Sequence, residues 1–225
     1  MGLARLHPAE HDDQMKWFGL ICIFLAAGTR APAEDATALA DAVVAASGGD
    51  RWSQARAIDF TFNAAQGDKV LASATHHWDI WKNTDTVTWK GKTITVNLAE
   101  KNDAGDAKEG YARWVNDSYW LMAPLKLRDR GTNLTAKGEQ TIDGKKLLVL
   151  QMAFEKIGLT PGDKYNFYID PETHLVRQWD YMPSAEKKTT ASWENYQNFS
   201  GVQLATERKM GDKRIYFTNV KVSID

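Results

Sequence analysis

The stretch 58–64 reads IDFTFNA, and apolar and polar side chains alternate along it at every position. A period of two places successive side chains on opposite faces, which predicts a β-strand with one buried face. Similar runs follow, separated by turn sequences such as Gly67-Asp68 and Asp143-Gly144. The predicted strands are residues 58–64, 70–82, 86–90, 93–98, 132–137, 146–154, 164–170, 175–181, 189–199, 202–209 and 214–224. A meander of about ten or eleven antiparallel strands must curl or close to bury its apolar face.

Two segments follow a helical period instead. Residues 34–47 are rich in alanine and precede Gly48, which predicts an N-terminal helix. Apolar side chains recur at helical spacing from Tyr111 to Met122, and Pro124 ends that run. We therefore predict a mainly β fold of the α+β class. It is a curled antiparallel sheet or an unclosed β-barrel, with an N-terminal helix and a helical lid inserted over the concave face or one mouth.

The amino terminus has the pattern of a secretory signal peptide. Met15 opens a short charged segment, an apolar run follows over residues 17–27, and a small-residue Ala-Pro-Ala site ends at Ala33. The run is shorter than the roughly 20 residues that a membrane-spanning helix needs. We predict a signal peptide over 1–33, with translation starting at Met15, cleaved after Ala33. The exported chain, 34–225, is then a single periplasmic domain without a transmembrane span.

Composition excludes several classes of function. The hydrophobic content of 43% and charged content of 25% are typical of a globular protein. Lys plus Arg number 28 against 29 Asp plus Glu, so the formal charge is −1 and no excess of positive charge is present to bind nucleic acid. The single cysteine is Cys22, inside the predicted signal peptide. The exported chain therefore has no thiol for catalysis, disulfide formation or metal binding.

Three histidines, His76, His77 and His174, are the main candidates for catalysis or metal binding in the exported chain. His76 and His77 are adjacent on a predicted strand, so they point to opposite faces and do not readily share a metal ion. His77 and Asp79 share a face, and we interpret them as side chains of cross-strand polar pairs rather than as a catalytic dyad. No known nucleophile, metal-binding or phosphate-binding motif occurs. We predict no catalytic residue, no metal and no cofactor.

Aromatic side chains are the remaining chemical feature. The chain contains nine tryptophans, of which only Trp17 lies in the predicted signal peptide. Such side chains fill the core of a β protein, or they line the concave apolar surface that a curled sheet and a helical lid enclose. Under the second interpretation, the ligand-binding side chains of the cavity and the lid are Trp78, Ile80, Trp89, Tyr111, Trp114, Tyr119, Trp120, Met122 and Trp179.

Four segments carry a resemblance to a known group of bacterial proteins. They are residues 48–52 (GGDRW), 116–127 (NDSYWLMAPLKL), 158–165 (GLTPGDKY) and 168–173 (YIDPET). These segments resemble an exported bacterial family of unknown function, which is similar to the outer-membrane lipoprotein-sorting proteins, the periplasmic lipoprotein carrier and its receptor. The resemblance implies an unclosed β-barrel with a helical lid over a hydrophobic cavity for acyl chains, and a carrier role without catalysis.

The sequence therefore predicts a periplasmic binding or carrier protein for a lipid, an acylated protein or another hydrophobic ligand. Other proteins of the cell envelope are its expected further partners. One alternative is an envelope hydrolase that uses His77, His174 and a carboxylate in the same concavity. A second alternative is a structural envelope module with a filled interior and no ligand. Turnover of ester or glycoside substrates would favour the hydrolase, and an interior filled by side chains would favour the structural module.

Overall fold

A computed structural model describes residues 35–154 and 162–224, and the structural statements below concern these residues. The predicted signal peptide lies outside them. Three helices and a 3-10 turn are present: α1 (Ala36–Ala46), α2 (Gly49–Trp52), α3 (Gly105–Met122) and the turn Ala123–Lys126. The predicted N-terminal helix and helical insertion are both confirmed, although α3 begins at Gly105 rather than at Tyr111. Asp35 caps α1, since its carboxylate accepts a hydrogen bond of 2.9 Å from the Thr37 N–H.

The strands are β1 (Ala55–Gln66), β2 (Lys69–Asp79), β3 (Thr84–Trp89), β4 (Lys92–Asn97), β5 (Thr132–Ile142), β6 (Lys145–Phe154), β7 (Lys164–Ile169), β8 (Val176–Ser184), β9 (Lys187–Ser192), β10 (Glu194–Phe199), β11 (Val202–Met210) and β12 (Lys213–Ile224). They form two antiparallel sheets. One has seven strands in the order β10-β11-β12-β1-β2-β3-β4, and the other has five in the order β5-β6-β7-β8-β9. The sheets do not close into a barrel, which confirms the predicted unclosed, mainly β architecture.

The run 189–199 is where the strand prediction was wrong. The alternation predicts one strand there, but the chain changes sheets at Trp193, so that β9 belongs to the five-stranded sheet and β10 to the seven-stranded sheet. Trp193 is 1% exposed, and its N–H donates to the Arg177 carbonyl at 2.8 Å. Both halves of the run keep a strand-like composition, so the local pattern does not mark the transfer between sheets.

Two large hydrophobic clusters fill the space inside the curl. In the first, Leu39 of α1 packs with Phe167 and other residues of the five-stranded sheet. In the second, Met122 at the end of α3 packs with Phe60 and its neighbours on the seven-stranded sheet. Each fully buried large apolar side chain contributes about 1.5–3 kcal/mol of transfer free energy. The carboxyl end of α3 is therefore held against the seven-stranded sheet by apolar contacts.

A glycine sets how closely α3 approaches the seven-stranded sheet. A Cβ atom added at Gly110 would lie 2.9 Å from Val96 Cγ1 and 3.0 Å from Ile94 Cγ2, closer than such atoms normally approach. Only a residue without a side chain fits between the helix and β4 at this point. The absence of a side chain at Gly110 thus allows α3 to pack closely against β4.

Candidate functional site

The side of α3 that faces away from the seven-stranded sheet borders a cavity of about 510 Å³. The opposite wall is the five-stranded sheet, through the end of β6 and through β7 and β8. The volume falls within the roughly 300–1,000 Å³ typical of small-molecule sites. The lining residues are Tyr111, Ala112, Val115, Asn116, Tyr119, Trp120, Lys126, Asp129, Arg130, Phe154, Asp163, Tyr165, Trp179 and Tyr181.

Aromatic rings make up most of the cavity wall. Trp120 of α3 meets Trp179 of β8 edge to face, with ring centroids 4.7 Å apart, and Tyr119 lies 5.5 Å from Tyr165. Tyr165 and Tyr181 stack at 5.3 Å. Burial raises the pKa of the Tyr119 phenol well above its usual value, so this hydroxyl stays protonated. The rings form one continuous surface that joins α3 to the five-stranded sheet.

Four charged side chains lie at the cavity, and their surroundings differ. Asp163 is 6% exposed, and its carboxylate accepts a hydrogen bond of 2.9 Å from the Tyr181 hydroxyl. Lys126 and Asp129 form an ion pair at 2.5 Å. Arg130 is exposed to solvent at the rim. The buried charge of the cavity is therefore a carboxylate.

A buried polar triad attaches the opposite side of α3 to the seven-stranded sheet. The two ring nitrogens of His76 lie 2.8 Å from Asp85 and 3.1 Å from Asp117, and all three side chains are 0% exposed. Burial alone would lower the pKa of His76, but the hydrogen bonds to Asp117 and Asp85, with their negative charges, outweigh it and raise that pKa. Ionised carboxylates only accept hydrogen bonds, so with both aspartates ionised the ring is an imidazolium that donates from both nitrogens.

The triad also reaches the cavity through one side chain. Asn116, which lines the cavity, donates from its Nδ2 to Asp117 Oδ1 at 2.7 Å. Arg113 lies 3.6 Å from the same carboxylate, one helical turn earlier. Burial raises the pKa of Asp85, against the opposing hydrogen bond and charge of His76. The triad thus connects β2 and β3 of the sheet to the middle of α3.

Arg208 of β11 holds the carboxyl end of α3. It is 0% exposed, and its Nη2 donates to the Trp120 carbonyl at 2.7 Å. The guanidinium stacks 3.3 Å from the Trp193 ring centroid. Burial lowers the pKa of Arg208 to about 9. A cation at the carboxyl end of a helix satisfies its free carbonyls and its dipole, so α3 is anchored at this end as well as at its middle.

The predicted ligand-binding residues separate into two groups. Those that line the cavity together are Tyr111, Tyr119, Trp120 and Trp179. The others lie on the seven-stranded sheet or under α3, away from the cavity: Trp78, Ile80, Trp89, Trp114 and Met122. Trp114 packs edge to face against Trp78 at 5.1 Å, and Arg113 lies over Trp89 at 5.5 Å. Trp114 therefore lies on the side of α3 that faces the seven-stranded sheet, and Trp89 contacts the helix from that sheet.

Ten of the fourteen lining residues were absent from the prediction, and four of these lie on or next to the five-stranded sheet: Phe154, Asp163, Tyr165 and Tyr181. A signal for two of them is present in the sequence. Tyr165 shares a strand face with Phe167, and Tyr181 shares one with Trp179, so strand alternation relates both tyrosines to buried aromatics. That these faces meet a helix from another part of the chain is not visible in local periodicity.

The histidines lie apart from the cavity. His77 is exposed and forms a cross-strand polar pair with Asp59 of β1 at 2.6 Å. His174 lies in the turn between β7 and β8. In the described part of the chain, no group of three or more His, Cys, Asp or Glu side chains is arranged to hold a metal ion. Within the same residues, no helix is long and apolar enough to cross a membrane.

The protein consists of two curled antiparallel sheets that do not close into a barrel, with an aromatic cavity bordered by α3. This architecture defines the class of the protein. The chain matches the family of unknown function DUF6503 over residues 45–215, and it belongs to that family. The membership in a family of unknown function that the sequence predicted is thereby confirmed. Among curated proteins, none matches the chain.

Three solved structures are similar to the chain. A DUF1329 family protein from Desulfovibrio piger is 11% identical, with a TM-score of 0.48, and the match covers 84% of this chain and 93% of that protein. A LolA superfamily protein from Nitrosomonas europaea is 11% identical, with a TM-score of 0.46 and coverage of 82% and 93%. An outer membrane lipoprotein-sorting protein domain from Vibrio parahaemolyticus is 8% identical, with a TM-score of 0.43 and coverage of 82% and 93%.

Proposed function

We propose that this protein is a non-catalytic binding or carrier protein of the bacterial periplasm. Its ligand is a lipid, an acylated protein or another hydrophobic molecule. The observation that carries the proposal is the aromatic cavity of about 510 Å³ between α3 and the five-stranded sheet. A structural module would be expected to fill this space with its own side chains, because protein interiors normally leave few large voids.

Burial of apolar surface would provide the binding free energy. Each methylene removed from water contributes about 0.8 kcal/mol, so ten methylenes supply about 8 kcal/mol before the costs of ordering and association are subtracted. The net affinity is then moderate. Moderate affinity suits a carrier, because a carrier must release its ligand as well as bind it.

The chemistry of the cavity wall favours binding over hydrolysis. The lining side chains described include no histidine, serine, threonine or cysteine. His77 and His174, which the hydrolase alternative required, do not line it. The buried triad around His76 contains no hydroxyl or thiol group, and it contacts α3 from the sheet side. These two features favour a structural role for the triad, which holds α3 on the seven-stranded sheet.

A variant that fills the cavity tests the proposal. Val115 lines the cavity from α3, and a tryptophan at this position would occupy the space of the ligand. We expect V115W to weaken binding of dodecyl maltoside, followed by tryptophan fluorescence below its critical micelle concentration, by at least about tenfold. The matched control is K108W, which introduces the same side chain at an exposed position of the same helix.

Native mass spectrometry of protein purified without detergent provides a second readout. We expect the wild type and K108W to retain lipid mass, and V115W to lose it while its unfolding midpoint stays close to that of the wild type. Unchanged binding in V115W, or no binding by the wild type, would contradict a ligand site in this cavity.

We also propose that the protein is exported by cleavage after Ala33 and that residues 34–225 act as a single domain. N-terminal sequencing of protein from a periplasmic extract should begin at Glu34. A sequence beginning at Met1 or Met15 in that fraction would contradict the proposed export. Other envelope proteins are the expected partners that deliver or receive the ligand.

A further inference from the structure

The charges around the aromatic cavity are distributed unequally. Asp163 is 6% exposed, and among the described residues its side chain has no cationic partner and accepts a hydrogen bond of 2.9 Å from the Tyr181 hydroxyl. A carboxylate buried without a counter-charge is costly, because neighbouring hydroxyls recover only part of its lost hydration. A cation bound beside such a carboxylate would compensate its negative charge. Asp163 is therefore a suitable binding partner for a cationic group of the ligand.

The rings beside Asp163 add to the same preference. Tyr165 and Tyr181 stack at 5.3 Å with their planes 24° apart, and the Tyr181 hydroxyl donates to the Asp163 carboxyl group at 2.9 Å. Tyr119 lies 5.5 Å from Tyr165 and closes the group on the helix side. Aromatic faces carry negative electrostatic potential and attract ammonium groups, most strongly where water is excluded. Asp163 therefore lies beside a group of three tyrosine rings in the cavity wall.

Among the described residues, the cationic side chains that line the cavity do not neutralise the negative potential around Asp163. Lys126 is neutralised by Asp129 at 2.5 Å. Arg130 is exposed at the rim, where water and salt screen its charge. Trp179 lies 5.2 Å from Tyr165, and Trp120 lies 4.7 Å from Trp179, so apolar rings continue from the tyrosines along the wall. The cavity wall thus combines an apolar surface with a buried carboxyl group at Asp163.

We infer that the ligand is an amphiphile that ends in an alkylated ammonium group, which binds between Asp163, Tyr165 and Tyr181. Its apolar tail lies along Trp120 and Trp179. This inference rests on the proposed function and specifies the chemical class of the ligand. An alkylated ammonium fits better than a primary amine, since its methyl groups contact ring faces and it has little hydration to lose.

Three probes with the same twelve-carbon tail test the inference on the wild-type protein: dodecyltrimethylammonium, dodecyl maltoside and dodecyl sulfate. Tryptophan fluorescence, with each probe below its critical micelle concentration, reports binding. We expect the ammonium probe to bind about tenfold tighter than the maltoside and more tightly still than the sulfate. Tetramethylammonium, which has the head without the tail, should bind at least a hundredfold more weakly.

Asp163→Asn is the diagnostic variant, since it removes the charge and keeps an acceptor for the Tyr181 hydroxyl. We expect D163N to bind the ammonium probe and the maltoside with equal affinity. The matched control is D68N, which removes an exposed carboxylate in the turn between β1 and β2, outside the cavity lining, and should keep the tenfold preference. The comparison of three probes on the wild type keeps the inference testable even where a variant does not fold.

The outcomes separate the two proposals. Equal or tighter binding of the maltoside or the sulfate by the wild type would overturn the cationic ligand and leave a hydrophobic carrier. A preference that survives in D163N would also overturn it. Binding of tetramethylammonium as tight as that of the long-chain probe would overturn the role of the tail. Failure of all three long-chain probes would overturn the proposed function itself.

Discussion

His76 provides the sharpest test of how α3 is held in the concavity. Replacing it with leucine would leave the carboxylates of Asp85 and Asp117 buried without their shared partner. Asp117 would keep its hydrogen bond of 2.7 Å from Asn116 and the nearby Arg113. Asp85 would keep no side-chain hydrogen bond among the described residues, and its Oδ1 already has none. Removal of one member of a buried ionic group costs about 3–5 kcal/mol, and we expect H76L to fall in this range.

Urea unfolding followed by tryptophan fluorescence measures the loss directly. The control is the triple variant H76L/D85L/D117L, in which no buried charge remains uncompensated. We expect it to lie within about 2 kcal/mol of the wild type, since an apolar replacement of a buried ionic group is often close to neutral. A loss below about 1 kcal/mol in H76L would refute the view that the triad anchors α3.

The same triad predicts how stability depends on pH. The pKa of His76 in the folded protein lies above its unfolded value of about 6.5, because its bonds to Asp117 and Asp85 outweigh burial. Its contribution to stability is therefore complete below about pH 6.5 and is lost as the pH rises through the folded pKa. We expect the free energy of unfolding to fall there, by at most about 1.4 kcal/mol per pH unit, and the triple variant to lack this slope. An identical slope in both proteins would exclude His76 as its source.

Two further predictions concern the side of α3 that faces the seven-stranded sheet. Trp114→Ala removes the edge-to-face contact with Trp78 and should cost about 3 kcal/mol of stability in urea, while the affinity of the folded protein for dodecyl maltoside stays unchanged because Trp114 does not line the cavity. A large loss of affinity with little loss of stability would instead place Trp114 in the binding site. Gly110→Leu forces α3 away from Val96 and should cost at least about 1–3 kcal/mol, whereas the matched exposed substitution Ala107→Leu should stay within about 0.5 kcal/mol. Equal thermal midpoints for these two leucine variants would contradict the close approach of helix and sheet.

The class of the fold was predictable because its signals are local. The alternation in 58–64 places Ile58 and Phe60 on one face of β1, and both are fully buried in the structure. The helical spacing from Tyr111 to Met122 likewise predicted α3. Periods of 2 and 3.6 follow from backbone geometry within a few residues, so a single sequence displays them without knowledge of the remaining chain.

The composition of the cavity depended on contacts between distant segments. Helical spacing identified Tyr111 and Tyr119, which do line the cavity, but it could not show that Trp114 faces the sheet. The partners Tyr165 and Tyr181 come from strands far along the chain. Which aromatic residues enclose space, and which fill it, depends on how the helix is rotated and seated between two sheets.

The adjacent histidines show the same division at the scale of two residues. Period-two geometry was sufficient to predict that His76 and His77 point to opposite faces of their strand. Only the tertiary structure decided that His76 is buried between Asp85 and Asp117 of other elements, while His77 meets Asp59 at the surface. Side-chain direction is set by the local backbone, but burial and partners depend on which distant segments pack against that face.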